Sequence, residues 1–255
     1  MIPVVGVYKS RVNAEQGVVK LRAAGVPSDN INILEPHPTQ EELASVPTAG
    51  GEQPGILKAI GSVTGGAVGF GLGTAMASLL VPGLGPILAI GAVGGTVLGA
   101  LAGATAGGIA GNTTFAGLPD DEFFIYEDAL RQGRTVVVAM AADSTQANAT
   151  RNILTATDAE SVDRARQMWW LGLRDIEKEH YDAHGGNFRE EEKDLQRGFE
   201  AAQHPEYRGK SYADCQTGLA QRYPDTWNSA AFRKGYERGC TYYQERRKPK
   251  ADAAR

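Results

Sequence analysis

Glu177, His180 and His184 fall at i, i+3 and i+7 in the sequence. On a helix that spacing sets a carboxylate and two imidazoles on one face, and histidines one turn apart can share a zinc ion. The glutamate position of an HExxH motif is not filled and no clear fourth ligand stands nearby, so no metal is assigned. The expected reading is a solvated helix end whose histidines meet the negative dipole before Gly185. Gly209-Lys210-Ser211 invites a phosphate-loop reading, but that motif needs glycine at position 204, where His204 stands, and no strand precedes it. Cys215 and Cys240 sit on separate expected helices. They can be bridged if they face each other, and a cytoplasmic setting favours two buried thiols. Arg246, Arg247, Lys248 and Lys250 form a basic tail too short to bind nucleic acid by itself, although anionic lipid headgroups can use it at about 1 kcal/mol per basic residue. No nucleophile–base pair and no complete metal set stands out. The expectation is a protein that is not an enzyme and carries no cofactor.

These residues must be positioned by elements, and the composition shows where the elements lie. Over 255 residues, 26 Lys and Arg against 30 Asp and Glu give a net charge of -4, so no global basic field draws the chain to nucleic acid. The average hides a gap, because 61 consecutive residues from Ala59 to Pro119 carry no Asp, Glu, Lys, Arg or His. Ahead of it, Ile2–Tyr8 reads as a buried strand, Ser10 or Asn13 can cap a helix that stops at Gly25 and Pro27, and Ile31–Leu34 is a second strand. Glu35–Pro54, with four prolines and four acidic residues, suits a linker. Beyond the gap the same grammar resumes. Pro119–Gln132 reads as a helix ended by Gly133, Arg134–Ala142 as a strand, Gln146–Thr155 as a helix and Ala159–Val162 as a short last strand. The two halves read as one α/β domain split by an insertion.

Inside the insertion, Gly61, Gly65, Gly69 and Gly73 recur at every fourth residue, and after Val81-Pro82-Gly83-Leu84-Gly85-Pro86 the register returns as Gly91, Gly95, Gly99, Gly103, Gly107 and Gly111. On a helix each row is a nearly straight stripe without side chains, along which another helix packs at backbone contact. Ile56–Val81 and Pro86–Gly111 are therefore read as two helices of about 39 Å, enough to cross a hydrocarbon core of about 30 Å with tilt. Glycine costs about 1 kcal/mol against alanine in an exposed helix, so such a hairpin needs burial. A lipid bilayer and the core of a homo-oligomer both supply it, and a Gly/Ala linker is the third reading. Two features oppose simple insertion. The second segment has few large apolar residues, and the flanks are acidic (Glu41, Glu42, Glu52, then Asp120 to Glu122), so basic flanking charge gives no orientation.

The segments VVGVYKSRVNAEQGVVKLRAAGVPSDNINIL and GLPDDEFFIYEDALRQGRTVVVAMAADSTQANATRNILTATDAESVD together resemble the bacterial general-stress-protein (heat-induced stress protein) domain. Gly117-Leu118-Pro119 and Tyr126-Glu127 match its characteristic start and the Tyr-Glu of its next helix. The resemblance covers residues 2–163. It implies a ferredoxin-like α+β sandwich interrupted by a glycine-rich apolar stretch, and it carries no catalytic motif.

After Asp163 the pattern turns helical, with helices expected at Arg164–His184, Phe188–Gln203, Ser211–Arg222 and Asn228–Arg246 between Gly185-Gly186, His204-Pro205, Gly209 and Pro224. Gln196-Arg197-Gly198-Phe199-Glu200 recurs as Arg233-Lys234-Gly235-Tyr236-Glu237 at an offset of 37, which suggests two related helical units. Of 19 aromatic residues, 13 lie beyond residue 157 and read as core. Residues 207–232 also resemble a helical segment at the end of other bacterial stress-associated proteins, which implies an interaction module. The expected organisation is a split ferredoxin-like domain (1–54 and 118–163), a glycine-zipper helical hairpin (55–117), an all-α module (164–246) and a basic tail (247–255). The expected role is non-enzymatic stress response at a membrane, both termini cytoplasmic because no signal sequence opens the chain. The hairpin anchors and oligomerises the protein, and the C-terminal helices bind an unidentified protein. The alternative is a soluble homo-oligomeric scaffold with the hairpin in its core.

Overall fold

The structure, a computed structural model, describes residues 1–36, 76–81, 85–90 and 119–247. The chain is mixed α+β and divides into two units, one of Met1–Pro119 with Ile125–Ala165 and one of Asp120–Phe124 with Arg166–Arg255.

The first unit is built around five antiparallel strands: β1 (Ile2–Tyr8), β2 (Ile31–Pro36), β3 (Met76–Val81), β4 (Gly85–Ile90) and β5 (Thr135–Ala141). Their order across the sheet is β1-β5-β2-β4-β3. Helix α1 (Arg11–Ala23) follows β1 and is capped by Ser10, whose Oγ accepts the Asn13 amide at 3.3 Å. Its end is set by Gly25 at φ +86, a left-handed conformation that glycine adopts without a Cβ clash. Past a short 3-10 turn at Asp120–Glu122, α2 (Phe123–Arg131) leads into β5. Helix α3 (Ser144–Thr155) is capped by Asp143, and the short last strand reduces to a single bridge between Val7 and Glu160. The connections interleave, because β5 pairs with both β1 and β2 (Val5 opposite Val138, Ile33 opposite Val137). Tyr8, Leu21, Ile33, Val137 and Leu154 are buried together where α1 and α3 cover the sheet. Tyr8 and Thr157 share a hydrogen bond of 2.8 Å under Gly17, where a Cβ would lie 2.3 Å from the phenol oxygen.

The ends of the two expected 26-residue helices are corrected by β3 and β4. These strands pair as a hairpin from Met76 opposite Ile90 to Val81 opposite Gly85, and β4 adds to the edge of β2 with Ile33 opposite Ile90 and Pro36 opposite Ile87. The physical reason lies in the pattern: the period-four glycines stop at Gly73 and resume at Gly91. MASLLV and GPILAI between them are short apolar runs on either side of Pro82-Gly83-Leu84, and the edge of β2 offers them unpaired backbone groups. Among the described residues no helix is long and apolar enough to cross a membrane.

The second unit is helical, with the later part of α4 (Val162–Ala183) and then α5 (Phe188–Ala201), α6 (Tyr212–Arg222) and α7 (Ala230–Arg247). Gly185 and Gly209, both at positive φ, turn the chain where the sequence expects breaks. Helices α5 and α7 cross at backbone contact. A Cβ on Gly198 would stand 1.9 Å from the Phe232 carbonyl oxygen, and one on Gly235 would stand 2.0 Å from that of Leu195. Leu195 and Phe232 are separated by the same 37 residues as the two glycines. The repeat is thus a reciprocal crossing, each copy supplying the glycine that admits the other's backbone.

Candidate functional site

All ten glycines of the period-four rows, Gly61, Gly65, Gly69, Gly73, Gly91, Gly95, Gly99, Gly103, Gly107 and Gly111, lie outside the described residues. The candidates that can be placed belong to the helical unit.

Helix α4 has two different faces. Its inner face carries Trp169, Trp170, Glu177 and Tyr181, all buried. Trp169 and Trp170 each meet Phe199 edge-on, at 5.8 and 5.9 Å between ring centroids. Two forked ion pairs hold the helix in register. Arg174 donates to both Glu192 oxygens at 2.7 Å, with Trp170 Nε1 adding a third bond to that carboxylate at 3.0 Å. Arg238 donates to both oxygens of Glu177, at 2.9 and 2.7 Å. The outer face carries Met168, Leu171 and Ile176 at 51%, 58% and 65% exposure. Beside them a Cβ on Gly172 would meet nothing within 4 Å. The result is three exposed apolar side chains around an open backbone position, interspersed with exposed Asp175 and Glu179, on a helix that its inner contacts hold in place.

The metal-like trio does not assemble. Glu177 is committed to Arg238, His180 stacks on His184 at 4.3 Å, and His184 Nδ1 lies 2.7 Å from the His180 carbonyl oxygen. Partial desolvation first, then Arg238 and His184, hold His180 below its ordinary range. Among the described residues no three His, Cys, Asp or Glu side chains gather around a possible metal position. Ser211 of the phosphate-loop look-alike caps α6, accepting the Asp214 amide at 3.3 Å, while Gly209 makes the preceding turn. Cys215 and Cys240 are free thiols, the first buried and the second half-buried. In the basic tail Arg246 lies 4.6 Å from the centre of the Tyr242 ring; Lys248 and Lys250 lie outside the described residues.

One residue that the sequence reading treats only as a helix breaker is a buried titratable group. His204 is 1% exposed, its Nδ1 accepts the Glu206 amide at 3.1 Å, and its Nε2 is buried without a hydrogen-bond partner. Desolvation, reinforced by Arg222 and Arg208, pushes its pKa down to about 3, so the ring is neutral with its proton on Nε2. A lone histidine before a proline gives no sequence signal of this.

No family model, curated protein or solved structure matches this chain. The general-stress-protein resemblance therefore stands on the residues quoted for it.

Proposed function

We propose that this protein is a non-enzymatic, homo-oligomeric scaffold of the bacterial general-stress type, and that the outer face of α4 is one of the surfaces through which its copies associate. The observation that carries this reading is the exposed row Met168, Leu171 and Ile176 around Gly172. Apolar side chains at this helical spacing lose solvent when a second helix packs on them, and the open glycine lets that helix approach closely. The interleaved order of β1, β5 and β2, with the Val7–Glu160 bridge on the far side of β1, supports a split ferredoxin-like first domain. The glycine rows Gly61–Gly73 and Gly91–Gly111 are proposed as the second packing element of the oligomer.

The topology favours this scaffold over the membrane hairpin. Residues 37–75 leave the sheet at β2 and return to it at β3, and residues 91–118 leave at β4 and lead back to β5 of the same sheet. A single crossing would put the two ends of each segment on opposite sides of a bilayer. Each uncharged stretch is only long enough for one crossing at about 20 residues per span.

Sedimentation velocity of the full chain without detergent tests the reading. One species larger than a monomer is expected, moving toward smaller species when Leu171→Glu and Ile176→Glu are introduced together. Gly95→Leu with Gly99→Leu tests the glycine rows separately. A wild-type chain that sediments as a monomer contradicts the proposal.

A further inference from the structure

Two helices and the turn before α6 bring both cysteines to one phenol. Tyr236 Oη lies 3.1 Å from the Tyr207 carbonyl oxygen, 3.3 Å from that of Lys210 and 3.3 Å from Cys215 Sγ. Cys240, one helical turn further along α7, donates to the same Lys210 carbonyl at 3.5 Å. Cys215 and Cys240 are therefore joined through the Tyr236 hydroxyl and the Lys210 carbonyl, although they come from different helices.

We propose that Cys215 and Cys240 form a redox-modification site that a peroxide closes to an intrachain disulfide. Cys240 reacts first, because it is half-buried whereas Cys215 is 4% exposed. Its sulfur attacks one peroxide oxygen and the O–O bond breaks. The departing hydroxide takes up the thiol proton as water, leaving Cys240 as the sulfenic acid. Cys215 sulfur then attacks the Cys240 sulfur, the S–O bond breaks, and the second hydroxide leaves with the Cys215 proton as another water. Two thiols and one peroxide become one disulfide and two waters, with both sulfurs oxidised and both peroxide oxygens reduced.

The neighbours set the pace of each step. Desolvation above all, with Cys215 nearby, pushes the Cys240 thiol up to about 11, so little thiolate exists at neutral pH and the first step is slow there. In the second step the Tyr236 hydroxyl, 3.3 Å from Cys215 Sγ, can turn its single proton from the neighbouring carbonyl oxygens toward that sulfur. Desolvation raises the phenol above its ordinary range, which keeps that proton available to a developing thiolate. The bond would tie α6 to α7 through the loop 216–239 and restrict the unfolded chain. This site is independent of the oligomer reading, since neither cysteine lies on α4 or in the glycine rows.

The full chain is treated with hydrogen peroxide, denatured, and alkylated with N-ethylmaleimide before intact-mass measurement. The expected product takes up no maleimide, is lighter than the reduced chain by two hydrogens, runs as a single chain on a non-reducing gel, and takes up two maleimides after dithiothreitol. The Cys240→Ser variant is expected to keep Cys215 reduced under the same treatment. Formation of the disulfide is expected to accelerate as pH rises from neutral toward the Cys240 value. Oxidation of Cys240 to the sulfinic acid while Cys215 still takes up maleimide would overturn the proposal, as would cross-linking only between chains.

Discussion

His204 shows how one side chain can couple this fold to pH. In an unfolded chain its imidazole titrates near its ordinary value of about 6.5, while burial holds it at about 3 in the folded protein. Between those values the unfolded chain binds a proton that the folded chain refuses. Stability is therefore undiminished above about 6.5 and falls as pH drops toward 3, by up to about 1.4 kcal/mol per pH unit from this residue. The sign follows from a depressed folded-state value: the stabilisation is present at high pH and lost on acidification. His204→Gln removes the titration while keeping a polar side chain. Urea unfolding across about pH 4 to 8 is expected to show the wild type losing stability relative to this variant only below about 6.5. A difference that stays constant through the acid range would show that His204 does not titrate in this way.

At the scale of elements, the crossing of α5 and α7 makes the strongest demand on residue type. A methyl group on Gly198 or Gly235 would run into backbone carbonyl oxygens at 1.9 and 2.0 Å, atoms that cannot rotate away, so the helices would have to separate. Gly198→Ala and Gly235→Ala should each destabilise the helical unit by about 3 kcal/mol. Because both act on one crossing, the double variant is expected to cost less than their sum. Denaturant unfolding followed by tryptophan fluorescence checks this, Trp169 and Trp170 lying in that unit. The offset-37 repeat is legible as a repeat, but sequence alone does not say that its two glycines face each other's partner residues. Strands β1, β2 and β5 are legible because each is a run of β-branched and apolar residues, and α1 is legible from Ser10 and Gly25, whose effects are local. Strands β3 and β4 are not. MASLLV and GPILAI carry no local preference strong enough to oppose the helical register on either side, and what makes them strands is pairing with each other and with β2, far away in sequence. The same limit hides His204, whose burial depends on helices on both sides of it, and the shared surroundings of Cys215 and Cys240, which depend on how α6 meets α7.

At the scale of the whole molecule, the strands of the insertion support the proposed association of chains over a membrane hairpin. With β4 paired to β2, the stretch carrying Gly61–Gly73 and the stretch carrying Gly91–Gly111 each begin and end on one sheet, so glycine packing serves association between chains better than passage through a bilayer. The acidic flanks, with Asp120, Asp121 and Glu122 directly after the uncharged stretch, agree with this, since they supply no basic anchor to a membrane surface. Alkaline carbonate extraction of membranes from cells expressing the full chain tests this claim most directly. Release of the protein into the supernatant without detergent is expected; retention in the carbonate-washed membranes, with release only by detergent, would overturn the scaffold reading.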